Sequence, residues 1–152
     1  RGYINEQRGF VIASLLSHGV LNAWIAFGRL THSAQDFYSH TNYISLWLDQ
    51  HNGKPPPPPE IDPVQKSLIQ SQSLRSGRVY LPMDVLYFIP FLRSFALKLL
   101  PDDSHGKMNL DSPKQGPHFE YARAAAVKRT QYEFELLKKI LPLEMFAKFV
   151  DL

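Results

Sequence analysis

The chain has 152 residues, of which 44% are hydrophobic and 20% are charged. This size and composition predict one folded domain with a single core and exclude a wholly disordered or collagen-like chain. Because the sequence contains no cysteine, disulfide frameworks, thiolate zinc sites and cysteine nucleophiles are excluded, and a metal ion would need histidine, carboxylate or main-chain ligands. The net charge of +3 is compatible with anionic partners but does not indicate nucleic acid.

The chain begins with arginine and shows no signal-peptide pattern. We therefore predict a single helical domain over residues 1–152 that belongs to a longer protein. Residues 5–48 contain no proline and predict one long helix, or two helices broken near Gly19 or Gly28. Five consecutive prolines then predict an extended polyproline segment, which makes residues 52–62 a linker or a surface loop.

The middle of the chain predicts short helices. Residues 62–73 are typical of a short polar helix. The apolar segment from Gly77 to Leu100 predicts one or two short helices, which begin near Pro82 and are kinked at Pro90. Its aromatic part could form a lipid-facing wall or a membrane-touching surface, but packing in the core is the preferred interpretation.

The last third predicts a loop followed by a long helix. Residues 101–117 are rich in Asp, Ser, Gly and Pro, which is typical of an irregular loop. A final helix is predicted over residues 117–141, where Pro142 ends it. Since no alternating strand pattern is present, the predicted fold class is all-α, a helical bundle with long irregular loops.

Polar residues form a lane on one side of the first helical segment, within an arc of about 140°. The lane consists of Ser14, Ser17, His18, Asn22, Arg29, His32, Gln35, Asp36 and His40. Between residues 14 and 40 there is no lysine and no glutamate, the residues that most often occupy exposed helix faces. A solvent-facing stripe is the simpler interpretation, but this composition favours a buried polar seam that needs metal ions or a ligand as partners.

His32, Asp36 and His40 follow one another at intervals of one helical turn. His32 and Asp36 can chelate one ion, whereas His32 and His40 are separated by about 12 Å along a continuous helix. The spacing therefore predicts either two ions bridged by Asp36 or a helix that ends near Ser39. Hydrogen-bonded core histidines are the alternative to a metal site.

The string GRLTHSAQDFYSHTNY at residues 28–43 resembles the signature of the Het-C heterokaryon-incompatibility family and its bacterial relatives. Weaker matches follow in the expected order: LRSG at 74–77, HGKMNLDSP at 105–113, and His118 leading Ala122, Ala126 and Thr130. These families resemble zinc-dependent phospholipase C and the single-strand-specific zinc nucleases. The matches together extend over most of residues 20–135.

The resemblance implies a helical fold that holds one to three zinc ions and hydrolyses phosphodiesters. It places the chelating histidine and the bridging carboxylate on His32 and Asp36, and a further zinc on His40 and His118. Asp36 and Arg29 would be the catalytic residues, with Arg29 facing a phosphate or neutralising Asp36. The implied substrate is a phospholipid or another phosphodiester, with a membrane surface as a possible contact and a secreted or cell-envelope location; nucleic acid is not expected.

The sequence departs from the phospholipase pattern at Ala122, where the phospholipases carry a glutamate one turn after the helical histidine. The second ion would then need a substitute ligand, for which the candidates are Asp111, His105 and Glu120, or would be absent. His18 is a further candidate ligand, although a core histidine is the preferred interpretation. The alternative function is a non-catalytic helical interaction or incompatibility domain, with a structural metal site or none.

Overall fold

A computed structural model describes residues 2–151 of the protein. These residues form α-helices and two 3-10 turns and contain no β-strand, so the predicted all-α class is confirmed. The helices are α1 Gly2–Leu16, α2 Val20–Ser39, α3 Tyr43–Asp49, α4 Lys66–Ile69, α5 Met83–Tyr87, α6 Arg93–Leu99, α7 His105–Met108, α8 His118–Ile140 and α9 Leu143–Val150. Among them, none is long and apolar enough to cross a membrane.

The predicted break in the first helical segment lies at Gly19. The Gly19 amide donates to the Ser14 carbonyl at 2.7 Å and the His18 amide donates to the Leu15 carbonyl at 3.2 Å. His18 itself has a positive φ of 59°. This pattern is a Schellman motif, in which the left-handed residue closes the helix and satisfies its last carbonyl groups. A second break separates α2 from α3 after Ser39.

The remaining elements follow the predicted order with shorter helices. The polar segment 62–73 contains only the single turn α4. Helices α5 and α6 lie on either side of Pro90, as predicted, and the last long helix begins at His118 and ends before Pro142. Within the predicted loop 101–117, one short helix and one 3-10 turn form, and α9 after Pro142 was not predicted.

The chain divides into two compact units. The first unit comprises residues 1–36 and 126–152. Its core is an apolar cluster of Val11, Leu15, Ala23, Ala26, Leu137, Leu141 and Phe149. A charged group is also buried there, because Glu133 is fully inaccessible and binds Arg8 at 2.6 Å and Arg129 at 2.7 Å. Arg129 is therefore largely buried, with only 15% of its side chain exposed.

The second unit comprises residues 37–125. Its helices α5 and α6 pack against each other and share a small core of Tyr87, Ala96 and Leu100. Tyr38 and Tyr43 are also fully buried and donate hydrogen bonds to the carbonyls of Pro63 and Asp62. The prediction of one domain over residues 1–152, within a longer chain, stays a prediction.

Candidate metal-binding site

His32 and Asp36 form a local pair on α2, in the first unit. The His32 Nε2 and Asp36 Oδ2 atoms are 3.3 Å apart, as the one-turn spacing predicts. Both side chains face water, since the exposed fractions are 76% for His32 and 46% for Asp36. The pair could therefore contribute two ligands from one helix, but it is not enclosed.

The interpretation of the lane as a buried polar seam is wrong for this part of α2. Arg29 and Asn22 are exposed, and His18 is an exposed residue of the α1–α2 turn instead of a core histidine. The buried residues of α2 in the first unit are Ala23, Ala26, Leu30, Thr31 and Ala34. These residues recur at helical intervals on the opposite side, so the polar lane is turned towards solvent.

His40 lies in a different environment, in the second unit, immediately after the end of α2. Its Nε2 atom is 3.4 Å from Asp111 Oδ2. Its ring is stacked on the ring of His105, with centroids 4.7 Å apart and planes inclined at 28°. The side chain is 27% exposed, but its Nδ1 atom is buried and has no hydrogen-bond partner within the described structure. A buried nitrogen without a partner is costly unless a ligand satisfies it.

Main-chain hydrogen bonds bring the segments of this site together. The Leu110 amide donates to the Ser39 carbonyl at 3.0 Å, next to Asp111 and His40. The Gly77 amide donates to the His40 carbonyl at 2.9 Å, and the His105 amide donates to the Arg78 carbonyl at 2.8 Å. The segment 76–78 therefore lies between the backbones of His40 and His105 and fixes their separation.

The close approach of the backbone at residue 77 to that of His105 requires a glycine at this position. A Cβ atom at Gly77 would lie 2.9 Å from the Cα atom of His105, which is closer than real Cβ contacts. Three of the four segments that carry the family resemblance, around residues 40, 77 and 105–111, thus meet at one place in the second unit. We refer to His40, His105 and Asp111 as the His40 cluster.

A buried carboxylate that the sequence interpretation missed supports the turn at His105. Asp84 is almost fully buried and accepts hydrogen bonds from the amides of Tyr80 and Gly106. Gly106 packs on Tyr87, whose ring would lie 3.1 Å from an added Cβ atom. The only sequence signal for this role is an isolated acidic residue within an otherwise apolar and basic segment.

The donor atoms of the His40 cluster fit zinc chemically, because imidazole nitrogen and carboxylate oxygen are usual zinc ligands. Within residues 2–151, however, no three histidine or carboxylate side chains are arranged around one point. The rings of His40 and His105 are stacked. Their ring nitrogens therefore lie side by side and do not point towards one common ion. His118 is exposed at the start of α8, as is Glu120, and Ala122 is buried.

A cleft of about 460 Å³ lies in the same unit. It is lined by Asn42, Leu46, Ser73, Arg75, Asp102, Asp103 and Met108. A hydrogen bond from Lys107 Nζ, 2.9 Å away, lowers the pKa of the Asp102 carboxyl. The hydrogen bond that the Tyr80 hydroxyl donates to Asp103 raises the pKa of that phenol. The cleft therefore carries the carboxyl groups of Asp102 and Asp103 together with one basic side chain, Arg75.

The chain was compared with protein families, with curated proteins and with solved structures. No family model, no curated protein and no solved structure matches the chain.

Proposed function

We propose that the protein is a zinc-dependent phosphodiester hydrolase-like domain of the phospholipase C kind, with the corresponding helical fold. The observation that carries the proposal is the contact of His40 with both Asp111 and His105, since three distant segments assemble around an imidazole whose Nδ1 atom is buried and unsatisfied. The resemblance of residues 28–43 to the Het-C signature supplies the reaction class.

In this proposal two groups of residues hold metal ions. His40, His105 and Asp111 would hold one ion, with His118 as a candidate further ligand, and His32 with Asp36 would hold another. Zinc, when bound, supplies Lewis-acid polarisation of a phosphoryl oxygen and acidifies water. The guanidinium of Arg29, one turn before His32 and exposed on the same helix, would bind a non-bridging phosphate oxygen.

The alternative is a non-catalytic interaction or incompatibility domain with a structural metal site or none. Two observations favour it. No three ligand-type side chains converge within the described residues, and the place of the phospholipase glutamate is taken by the buried Ala122. A closed structural site would need no open position for water.

The test is a metal count combined with a turnover assay. The purified chain is stripped with a chelator, reloaded with zinc, freed of excess metal, and analysed for zinc content and for hydrolysis of a chromogenic phosphodiester. We expect two or more zinc ions per chain and zinc-dependent turnover. Asp36→Asn should abolish turnover and His40→Ala should remove one ion.

The matched control is His51→Ala, because His51 is a half-buried histidine of the same unit that contacts Trp47 and lies outside the His40 cluster. Its zinc content and turnover should equal those of the unmodified chain. One tightly bound zinc without turnover would support the non-catalytic alternative. No zinc, or equal zinc loss in His51→Ala and His40→Ala, would contradict both metal-dependent versions.

A further inference from the structure

Helices α5 and α6 expose apolar side chains away from their shared core. Val85 lies on α5, Leu81 lies two residues before this helix and Phe88 directly follows it. All three are exposed, whereas Asp84 and Tyr87 of α5 are buried. These apolar positions cannot belong to the core of the described unit, so the preferred core interpretation of this stretch is wrong for them. The reason is that a helix of one or two turns can direct only one side inwards.

The α6 helix repeats the pattern. Phe91, Phe95 and Leu99 recur every four residues and are exposed, whereas Ala96 and Leu100 are buried. We call the exposed set the α5–α6 apolar face; it consists of Leu81, Val85, Phe88, Phe91, Phe95 and Leu99. An apolar surface of several large side chains on one pair of packed helices indicates an interaction site.

The tip of this helix pair is its most apolar part. Phe88 ends α5, Phe91 lies just before α6, and Pro90 between them is exposed as well. Phe91 is 83% exposed. Phenylalanine side chains that project from a turn in this way are well suited to insert among lipid acyl chains.

Within residues 79–100, Lys98 is the only charged residue that is exposed. Between residues 79 and 100 the only acidic residue is Asp84, which is buried and bound by main-chain amides. The basic residues of the same segment are Lys98, which is exposed, and Arg93, which contacts the Tyr87 ring and hydroxyl. An apolar face with an exposed lysine next to Leu99, and no exposed carboxylate in the same segment, complements an anionic lipid surface.

We propose that the α5–α6 apolar face docks this protein on an anionic membrane surface, with Phe88 and Phe91 entering the interface. A second copy of the chain is the less suitable occupant, because residues 79–100 of the other copy offer no exposed carboxylate to pair with Lys98. The proposal does not depend on phosphodiester hydrolysis, since no metal or catalytic residue belongs to the face.

The test is cosedimentation with phosphatidylcholine vesicles prepared with and without phosphatidylserine, in a chelator so that hydrolysis cannot contribute. We expect binding that requires phosphatidylserine and weakens with salt. Phe91→Asp should lower the partition coefficient about tenfold or more, because burial of one phenylalanine is lost and a charge of the wrong sign is introduced. Lys98→Gln should lower binding to the anionic vesicles about fivefold, because one cation worth about 1 kcal/mol is lost.

Leu143→Asp is the matched control for Phe91→Asp. Leu143 is 84% exposed, lies in the first unit and does not belong to the face. Its partition coefficient should stay within about twofold of the unmodified chain, and circular dichroism should show that each variant is folded. Absence of binding to anionic vesicles, or equal losses in Phe91→Asp and Leu143→Asp, would overturn the proposal. So would a dimer in light scattering that Phe91→Asp dissociates while vesicle binding is unchanged.

Discussion

The two ends of one histidine motif have different surroundings in this protein. His32 and Asp36, in the first unit, contact each other along a single helix and remain largely in water. His40, only one turn further along the sequence, contacts residues more than sixty positions away and has one ring nitrogen sealed from solvent. Each end of the motif is a histidine four residues from Asp36. Neither the residue type nor this spacing therefore determines whether the histidine is buried.

The difference comes from the elements that cover each end. In the first unit, α2 directs Ala23, Ala26 and Leu30 into the core, and the polar side stays outside. In the second unit, the helix has ended, and segments around Gly77 and Leu110 bind the backbone at Ser39 and His40. Helical spacing therefore fixes which residues share a side, while the partner segments fix whether that side is buried.

The largest expected effect concerns the charge that the first unit does bury. Glu133→Gln should lower the free energy of unfolding by about 3 kcal/mol, because Arg8 and Arg129 would keep their positive charges without the buried carboxylate. Urea unfolding measures the change. The control Glu120→Gln breaks an exposed pair with Arg123 and should cost less than about 1 kcal/mol. Equal effects of the two substitutions would show that Glu133 is not a buried structural charge.

Glycine substitutions compare the two units directly. Gly77→Ala should cost about 2 kcal/mol, because its Cβ atom would meet the His105 backbone. Gly28→Ala should stabilise the chain by about 0.5–1 kcal/mol, since Gly28 lies inside α2 with nothing within 4 Å of an added Cβ atom. Thermal unfolding of both variants measures whether each substitution lowers or raises the stability of the chain. A stabilising Gly77→Ala would disprove the close approach of the segments beside His40.

A histidine comparison addresses the two ends of the motif themselves. His40→Ala should lower the free energy of unfolding by about 1 kcal/mol, because the ring contact with His105 is lost. His32→Ala removes a mostly exposed ring and should change stability by less than about 0.5 kcal/mol. Both are measured by urea unfolding in a chelator, so that metal binding does not contribute. The reverse order of effects would mean that the His40 cluster is not formed in solution.

The sequence predicted the helical class and the division of α5 from α6 at Pro90. It also included, among the alternatives, a break near Gly19 and a helix that ends near Ser39, and both are observed. These features depend on local rules: glycine and proline interrupt helices, and apolar residues recur at the interval of a helical turn. Helix α9 was missed because it begins directly after Pro142. This proline was interpreted as the end of α8, although it is also the residue that precedes the first turn of α9. The burial of Glu133 was missed because glutamate usually lies on the surface.

Sequence alone determined that His32 and Asp36 lie one turn apart, because helical geometry acts between neighbours along the chain. Only the tertiary structure decided that His40, His105 and Asp111 meet, that His32 is exposed, and that six apolar side chains of α5 and α6 have no core to enter. Burial depends on contacts between segments far apart in the chain, and their free energy is not encoded in the spacing of any one helix.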